Sequence, residues 1–133
     1  MFTAQDILMA HAKVKSGADY PRYVQDLKAM GVVFYDFVVE NGQNNYFDQE
    51  GNSVSTPEKY SPLHVADSAS SEKLKHNILI HQQGKTDFPT FCKQAAEAGV
   101  EKWVSDLKKM VVIYLDKKGN ELLAEPIPTG DYV

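Results

Sequence analysis

The sequence predicts an α+β fold in which two ααβββ-like halves pack helices on an antiparallel sheet. Three observations lead to this prediction: four segments with helical apolar spacing, strand-type runs rich in aromatic and β-branched residues after every second helix, and an internal repeat. The 133 residues, 43% of them hydrophobic, suit one globular domain of ordinary size. We therefore treat residues 1–133 as a single domain, with halves at about 1–56 and 69–125.

The repeat aligns residues 19–52 with residues 87–120 at a constant offset of 68 and without a gap. Eight of the 34 aligned pairs are identical, where chance would give about two, so we interpret the match as a diverged internal duplication. Upstream, "ILMAH" ending at His11 corresponds to "NILIH" ending at His81. The identical pairs are Asp19/Asp87, Pro21/Pro89, Gly31/Gly99, Val32/Val100, Tyr46/Tyr114, Asp48/Asp116, Gly51/Gly119 and Asn52/Asn120.

Two helices are predicted at the start of the first half. The first begins at Thr3, with Asp6 three residues later in the spacing of a capping box, and Gly17 is a candidate for its C-terminal cap. The second begins at "DYP", where Pro21 falls in the first turn and its missing N–H costs nothing. It is expected to end at Gly31.

Strands are predicted to follow these helices. The run "VVFYDFVVE" has strand composition, Asn41-Gly42 is a strong hairpin signal, and two shorter strands flank a turn around Gly51. Residues 57–68, with two prolines, read as an irregular connection within the domain. The second half is expected to contain helices at about 71–83 and from "DFP" to Gly99, then strands near 100–107, 110–116 and 120–125.

Composition argues against several classes of function. The formal net charge is −4 and no basic block stands out, which argues against binding to nucleic acid. Cys92 is the single cysteine, so no internal disulfide is expected and the protein is predicted to be cytoplasmic. No signal peptide is recognised, and no apolar run approaches the roughly 18 residues of a membrane span, so no membrane association is expected.

The stretch "HQQGKTDFPTFCKQ" contains the strongest candidates for chemistry. Gly84 begins "GKT", but a phosphate loop needs a glycine five positions earlier, where Leu79 stands. A catalytic site in this stretch would use Cys92 as the nucleophile, His81 as the base and Asp87 as the carboxylate that orients the base. The core interpretation of Cys92 is preferred, because the cysteine aligns with a valine of the first half and has aromatic neighbours.

His11 and His81 form the second candidate site. Each ends the same apolar pattern on a predicted helix, so the two occupy equivalent places in the halves. One interpretation is a repeated structural imidazole, hydrogen-bonded within its own half. The other is a ligand site at a pseudo-twofold axis that brings the two together. The structural interpretation is preferred, and the sequence indicates neither a metal site nor a cofactor.

Two segments, "HAKVKSGADYPRYVQDLKAMGV" and "HQQGKTDFPTFCKQAAEAGVEKWV", carry a resemblance to a known family. The chain resembles a domain-of-unknown-function family of short bacterial and prophage-associated proteins, some of which are labelled "phage envelope protein". The resemblance covers nearly the whole chain. It implies a bacterial cytoplasmic origin and a link to prophages, and it implies no reaction, cofactor or catalytic residue.

Two functional hypotheses follow from these observations. The preferred one is a non-enzymatic binding or interaction protein that contacts a protein or small-molecule partner through a sheet face or the seam between the halves, with a homodimer as one such arrangement. The alternative is a small enzyme that uses His81, Asp87 and Cys92. A catalytic thiol has to be accessible and reactive, whereas a core thiol is neither, so Cys92 discriminates between them.

Overall fold

The computed structural model describes residues 2–14 and 19–127, so the predicted cap Gly17 lies outside the described residues. Within these ranges the chain forms four helices and six strands, and the predicted α+β class is confirmed. The helices are α1 (Ala4–His11), α2 (Tyr20–Met30), α3 (Ser71–Gln82) and α4 (Phe88–Glu97). The strands are β1 (Val32–Val38), β2 (Gln43–Asp48), β3 (Ser53–Ser55), β4 (Lys102–Asp106), β5 (Val111–Leu115) and β6 (Glu121–Pro126).

Local side-chain hydrogen bonds cap α1 and α4 at their N-termini, whereas within the described residues Asp19 makes no side-chain capping bond at α2 and α1 ends at His11, before the predicted cap Gly17. Thr3 and Asp6 form a complete capping box at α1: the Thr3 hydroxyl accepts from the Asp6 N–H at 3.2 Å, and the Asp6 carboxylate accepts from the Thr3 N–H at 2.9 Å. Asp87 caps α4 by accepting from the Thr90 N–H at 2.8 Å. Gly31 ends α2 in the left-handed conformation, with φ of 101°, which a residue with a Cβ adopts only at a cost.

The strands form one antiparallel sheet in the order β3-β2-β1-β4-β5-β6. Strands β1 and β4 meet at its centre, with Asp36 opposite Val104, two positions that the sequence repeat aligns. The pairing of Tyr35 with Tyr46 in the first half corresponds at the same offset to the pairing of Trp103 with Tyr114 in the second. These registers are compatible with a duplication, which stays an inference from the sequence.

The described helices pack on one face of the sheet and enclose two adjacent cores. Five buried strand residues point toward the helices: Tyr35, Phe37, Tyr46, Ser105 and Tyr114. The other buried strand residue, Val32, lies next to the irregularity in the pairing of β1 with β2. The first-half core contains Phe2, Ile7, Ala10, Tyr23, Val24, Leu27, Val32, Tyr35, Tyr46, Leu107 and Ile127. The second-half core contains Phe37, Val39, Val65, Leu74, Ile78, Phe91, Cys92, Ala95, Ala96, Ala98, Val100 and Tyr114.

Residues 57–68 are irregular, as predicted, but backbone hydrogen bonds hold them against the sheet end. The Lys59 N–H donates to the Asn41 carbonyl and the Leu63 N–H donates to the Glu40 carbonyl, both at 2.8 Å. Gly42 is so close that a Cβ there would lie 2.8 Å from the Tyr60 ring. The connection therefore covers the β1–β2 turn and brings its side chains to the line where the two cores meet.

Candidate functional site: the seam between the two cores

Five residues define what we call the seam: His11 of α1, Phe37 of β1, Lys59 and Tyr60 of the connection, and Cys92 of α4. The Lys59 ammonium lies 5.8 Å from the centre of the Phe37 ring, and Phe37 belongs to the second-half core. His11 follows buried Ala10 of the first-half core along α1. The seam thus joins side chains from both halves at one end of the sheet.

The ammonium of Lys59 points inward although the residue as a whole is exposed. Its Nζ donates to the Gly42 carbonyl at 2.7 Å. With the Asn44 amide oriented to satisfy both of its neighbours, Asn44 Oδ1 accepts from the same Nζ at 2.9 Å. Burial lowers the pKa of Lys59. Among the ion pairs of the described residues none includes Lys59, so neutral oxygens and an aromatic face surround this positive charge.

Cys92 is buried, as predicted, and only 1% of its surface is exposed. Burial raises the pKa of its thiol to about 11, and hydrogen bonding to Tyr60 and the charge of Lys59 oppose that rise. The Tyr60 hydroxyl donates to the Val39 carbonyl at 2.6 Å, and burial, followed by the effect of Cys92, raises the pKa of Tyr60. At neutral pH the thiol is protonated, which is unfavourable for a nucleophile.

Each of the three residues of the enzyme hypothesis has a different hydrogen-bond partner. His81 Nδ1 contacts the Thr86 carbonyl at 3.0 Å and the Thr86 hydroxyl at 3.2 Å. Asp87 caps α4 through Thr90, which lowers the pKa of the Asp87 carboxyl. The thiol of Cys92 interacts with Tyr60 of the connection. No hydrogen bond among the described residues joins His81, Asp87 and Cys92 to one another.

His11 and His81 each contact the aromatic ring of the second helix in their own half. The His11 ring meets Tyr23 edge-on with centroids 5.5 Å apart, and the His81 ring stacks on Phe91 at 4.8 Å. Burial, and then the charge of Lys59, lowers the pKa of His11, so this imidazole is neutral at pH 7. The two imidazoles thus differ in their surroundings, because a lysine acts on His11. A ligand role for either one stays a prediction.

Aromatic rings continue from the seam toward the solvent. Phe37 stacks on Trp103 with centroids 4.4 Å apart, and Phe88 meets Phe37 edge-on at 5.5 Å. Phe88 is 43% exposed and Trp103 is half-buried. An exposed aromatic ring therefore lies next to the ring that faces the Lys59 ammonium, which is the arrangement that a ligand with an apolar body and a negative group requires.

Two open grooves lie elsewhere, one within each helical hairpin. The groove between α1 and α2, of about 290 Å³, is lined by Asp26 among others, and the groove between α3 and α4, of about 460 Å³, is lined by Gln94. These two residues are 68 positions apart, and each has one buried side-chain oxygen without a hydrogen-bond partner in the described part of the chain. Both grooves lack the aromatic lining of the seam.

The opposite face of the sheet carries a second distinctive surface, which we call the open face. Its residues form rows across the strands, and in residues 2–14 and 19–127 no helix packs on it. The middle row is Ser55, Asn45, Asp36, Val104, Ile113 and Ala124, in the order of the strands. Its first three members are hydrogen-bonded polar side chains and its last three are apolar. None of the six is buried.

Comparison with known proteins identifies the family. The model of the family described as protein of unknown function, DUF1398, matches residues 9–126. The chain belongs to this family. The family match therefore spans all of the described strands and α2, α3 and α4. It agrees with the resemblance to a domain-of-unknown-function family. A search of curated proteins gave no match.

The part of the chain that the structure describes contains no group of three or more His, Cys, Asp or Glu side chains placed to hold a metal ion. Among the same residues, no helix combines the length and the apolar character that crossing a membrane requires.

Lys59 is not among the candidate residues that the sequence indicates. Lys59 lies in the connection, outside the aligned ranges, and its apolar neighbours in sequence predict only burial. Its environment depends on Gly42, Asn44 and Phe37, which precede it by 15 to 22 positions and approach it only when the sheet forms. The glycine of the Asn41-Gly42 turn was recognised as a hairpin signal, but a close approach by another segment leaves no local signal.

Proposed function

We propose that this DUF1398 protein is a non-enzymatic binding module that holds a small organic anion at the seam. One observation carries the proposal: the Lys59 ammonium bonds to neutral oxygens and faces the Phe37 ring, and none of the ion pairs among the described residues includes it. Partial burial of a cation is costly, and a carboxylate or phosphate would offset that cost by a charge-assisted hydrogen bond.

The surroundings of Lys59 favour a ligand with an aromatic or otherwise planar body. The exposed Phe88 ring and the half-buried Trp103 ring flank Phe37. His11, whose pKa is lowered by burial and by the charge of Lys59, can donate or accept a hydrogen bond without adding a second positive charge. An aryl carboxylate matches these features, because its ring can stack while its carboxylate accepts from Nζ.

The alternative, a small enzyme that uses His81, Asp87 and Cys92, receives less support. A thiol with a pKa of about 11 is almost fully protonated at neutral pH. His81 bonds to Thr86 in the α3–α4 joint, and Asp87 accepts from the Thr90 N–H in the first turn of α4. The geometry favours a structural role for all three.

The experiment is a titration of ¹⁵N-labelled protein with phenylacetate, followed by amide chemical shifts, with phenylacetamide as the neutral analogue. We expect phenylacetate to shift the amides of residues 41–44 and 88–92, and phenylacetamide to do so much more weakly. Lys59→Gln keeps a donor but removes the charge and should weaken binding by about 10- to 100-fold, the scale of one hydrogen bond to a charged group.

Lys117→Gln is the matched control, because Lys117 loses the same charge but pairs with Asp67 on the surface. This variant should bind as the native protein does. Equal shifts from the acid and the amide, or unchanged binding by Lys59→Gln, would show that Lys59 only fastens the connection to Gly42.

The origin and organisation of the chain belong to the same proposal. We infer a cytoplasmic protein of bacterial or prophage origin, which the lone buried Cys92 and the family resemblance support. We also infer one domain over residues 1–133 that arose by duplication, which the matching strand registers of the halves support.

A further inference from the structure

We propose that two copies of this chain associate through the open face of the sheet, with the apolar half of each face covering that of the other. This interface is separate from the seam, which lies on the helix-covered side. The open face has apolar residues on the strands of the second half. An antiparallel sheet can leave one face in water, but a contiguous apolar patch on that face marks an interaction surface.

The arrangement of side chains on the open face favours a second copy of this chain as its binding partner. Two further rows flank the middle row: Gln43, Val38, Lys102 and Leu115 at one end of the strands, and Ser53, Phe47, Phe34, Asp106, Val111 and Pro126 at the other. Lys102 and Asp106 thus lie on one strand, at opposite ends of the face. Neither takes part in an ion pair within the described residues.

A two-fold axis that runs across the strands makes this face complementary to itself. Each strand then lies over its own copy in the reverse direction, so Lys102 faces Asp106 of the second copy twice, once on each side of the axis. In the same arrangement Val104 faces Val104 and Ile113 faces Ile113, which gives an apolar centre. Isologous contacts of this kind are typical of two-fold dimers, and two stacked sheets pack about 10 Å apart.

The dimensions of the face indicate the strength of the association. Six strands about 4.8 Å apart and about 17 Å long present roughly 500 Å² per copy. Two copies would therefore bury on the order of 1,000 Å², the lower limit for a specific interface. We expect a reversible dimer that forms at micromolar or higher concentration. Asp36 near the axis faces its own copy, and this like-charge contact weakens the dimer further.

Sedimentation equilibrium of the full chain over about 1 µM to 1 mM tests the proposal. The native protein should shift from monomer toward dimer across this range, and Val104→Lys should remain monomeric because it places a charge in the apolar centre. Leu79→Lys is the matched control: Leu79 is 52% exposed on α3, away from the face, and this variant should dimerise normally. A native chain that stays monomeric at 1 mM, or a dimer that Val104→Lys leaves intact, would overturn the proposal.

Two charge variants test the orientation of the copies. Lys102→Glu should weaken the dimer about tenfold or more, and adding Asp106→Lys should restore it, because the reversed pair attracts again. Asp106 also accepts hydrogen bonds from the Lys108 and Lys109 N–H groups, so circular dichroism has to show that the double variant is folded. Asp36→Asn removes the like charges and should strengthen the dimer. A dimer that none of these changes affects would place the interface elsewhere.

Discussion

At the scale of single residues, equivalent positions of the two halves have taken different roles. Val24 and Cys92 are aligned in the repeat, and both are buried, with 0% and 1% of their surfaces exposed. Only Cys92 has Lys59 and Tyr60 as neighbours, because the connection crosses the seam at the second-half core. A thiol in this place is a small apolar side chain whose ionisation is suppressed by burial.

The first prediction concerns the ionisation of Cys92. Its pKa of about 11 exceeds the ordinary value of 9.0, so between these pH values the folded chain holds a proton that the unfolded chain releases. Stability should therefore fall as pH rises from 9 to 11, by at most about 2–3 kcal/mol from this group. Chemical unfolding of the native protein and of Cys92→Val at each pH isolates the effect, because the variant retains Lys59 and Tyr60.

Thiol labelling at pH 7.5 provides an independent readout for the same residue. Cys92 should react slowly in the folded protein and rapidly in denaturant. Labelling in the folded state at the rate of an exposed thiol would contradict the burial and would favour the enzyme hypothesis.

At the scale of secondary-structure elements, two glycines that end helices share a backbone conformation but differ in the tertiary contacts around them. Gly31 and Gly99 follow α2 and α4 at aligned positions, with φ of 101° and 85°. Around Gly31 no atom of the described residues lies within 4 Å of a built Cβ, whereas at Gly99 the Cβ would lie 2.6 Å from the Ala69 Cα and 2.9 Å from the Ser68 carbonyl oxygen. The backbone before α3 thus occupies the space beside Gly99.

The second prediction compares alanine at these two positions. Gly31→Ala should cost about 1 kcal/mol of unfolding free energy, because alanine disfavours positive φ. Gly99→Ala adds a collision with backbone atoms and should cost at least about 2–3 kcal/mol. Urea unfolding measures both variants, and equal costs would mean that the segment before α3 moves aside freely.

At the scale of the whole molecule, the central pairing of β1 with β4 joins the two cores, and Val112 of β5 packs against both. Phe37 of β1 belongs to the second-half core, where it stacks on Trp103 of β4. One strand of the first half thus contributes an aromatic side chain to the core of the other half. This exchange favours cooperative unfolding of the entire chain.

The third prediction tests this coupling. Phe37→Ala should cost about 3–5 kcal/mol, the usual range for a buried phenylalanine. Phe88→Ala, with a ring that is 43% exposed, should cost less than about 1.5 kcal/mol. Unfolding followed by tryptophan fluorescence and by circular dichroism should give coincident transitions for the native chain. Transitions that separate would mean that the cores unfold independently.

The elements with local causes are predictable from the residues alone: the capping box of Thr3 and Asp6, the turn at Asn41-Gly42, and the α+β order of helices and strands. These features depend on neighbours within a few residues and on apolar periodicity. The strand order, the inward ammonium of Lys59 and the contrast between Gly31 and Gly99 become visible only in the folded chain. The reason is physical: those environments are created by atoms distant in sequence, and a residue type does not encode which distant segment will approach it.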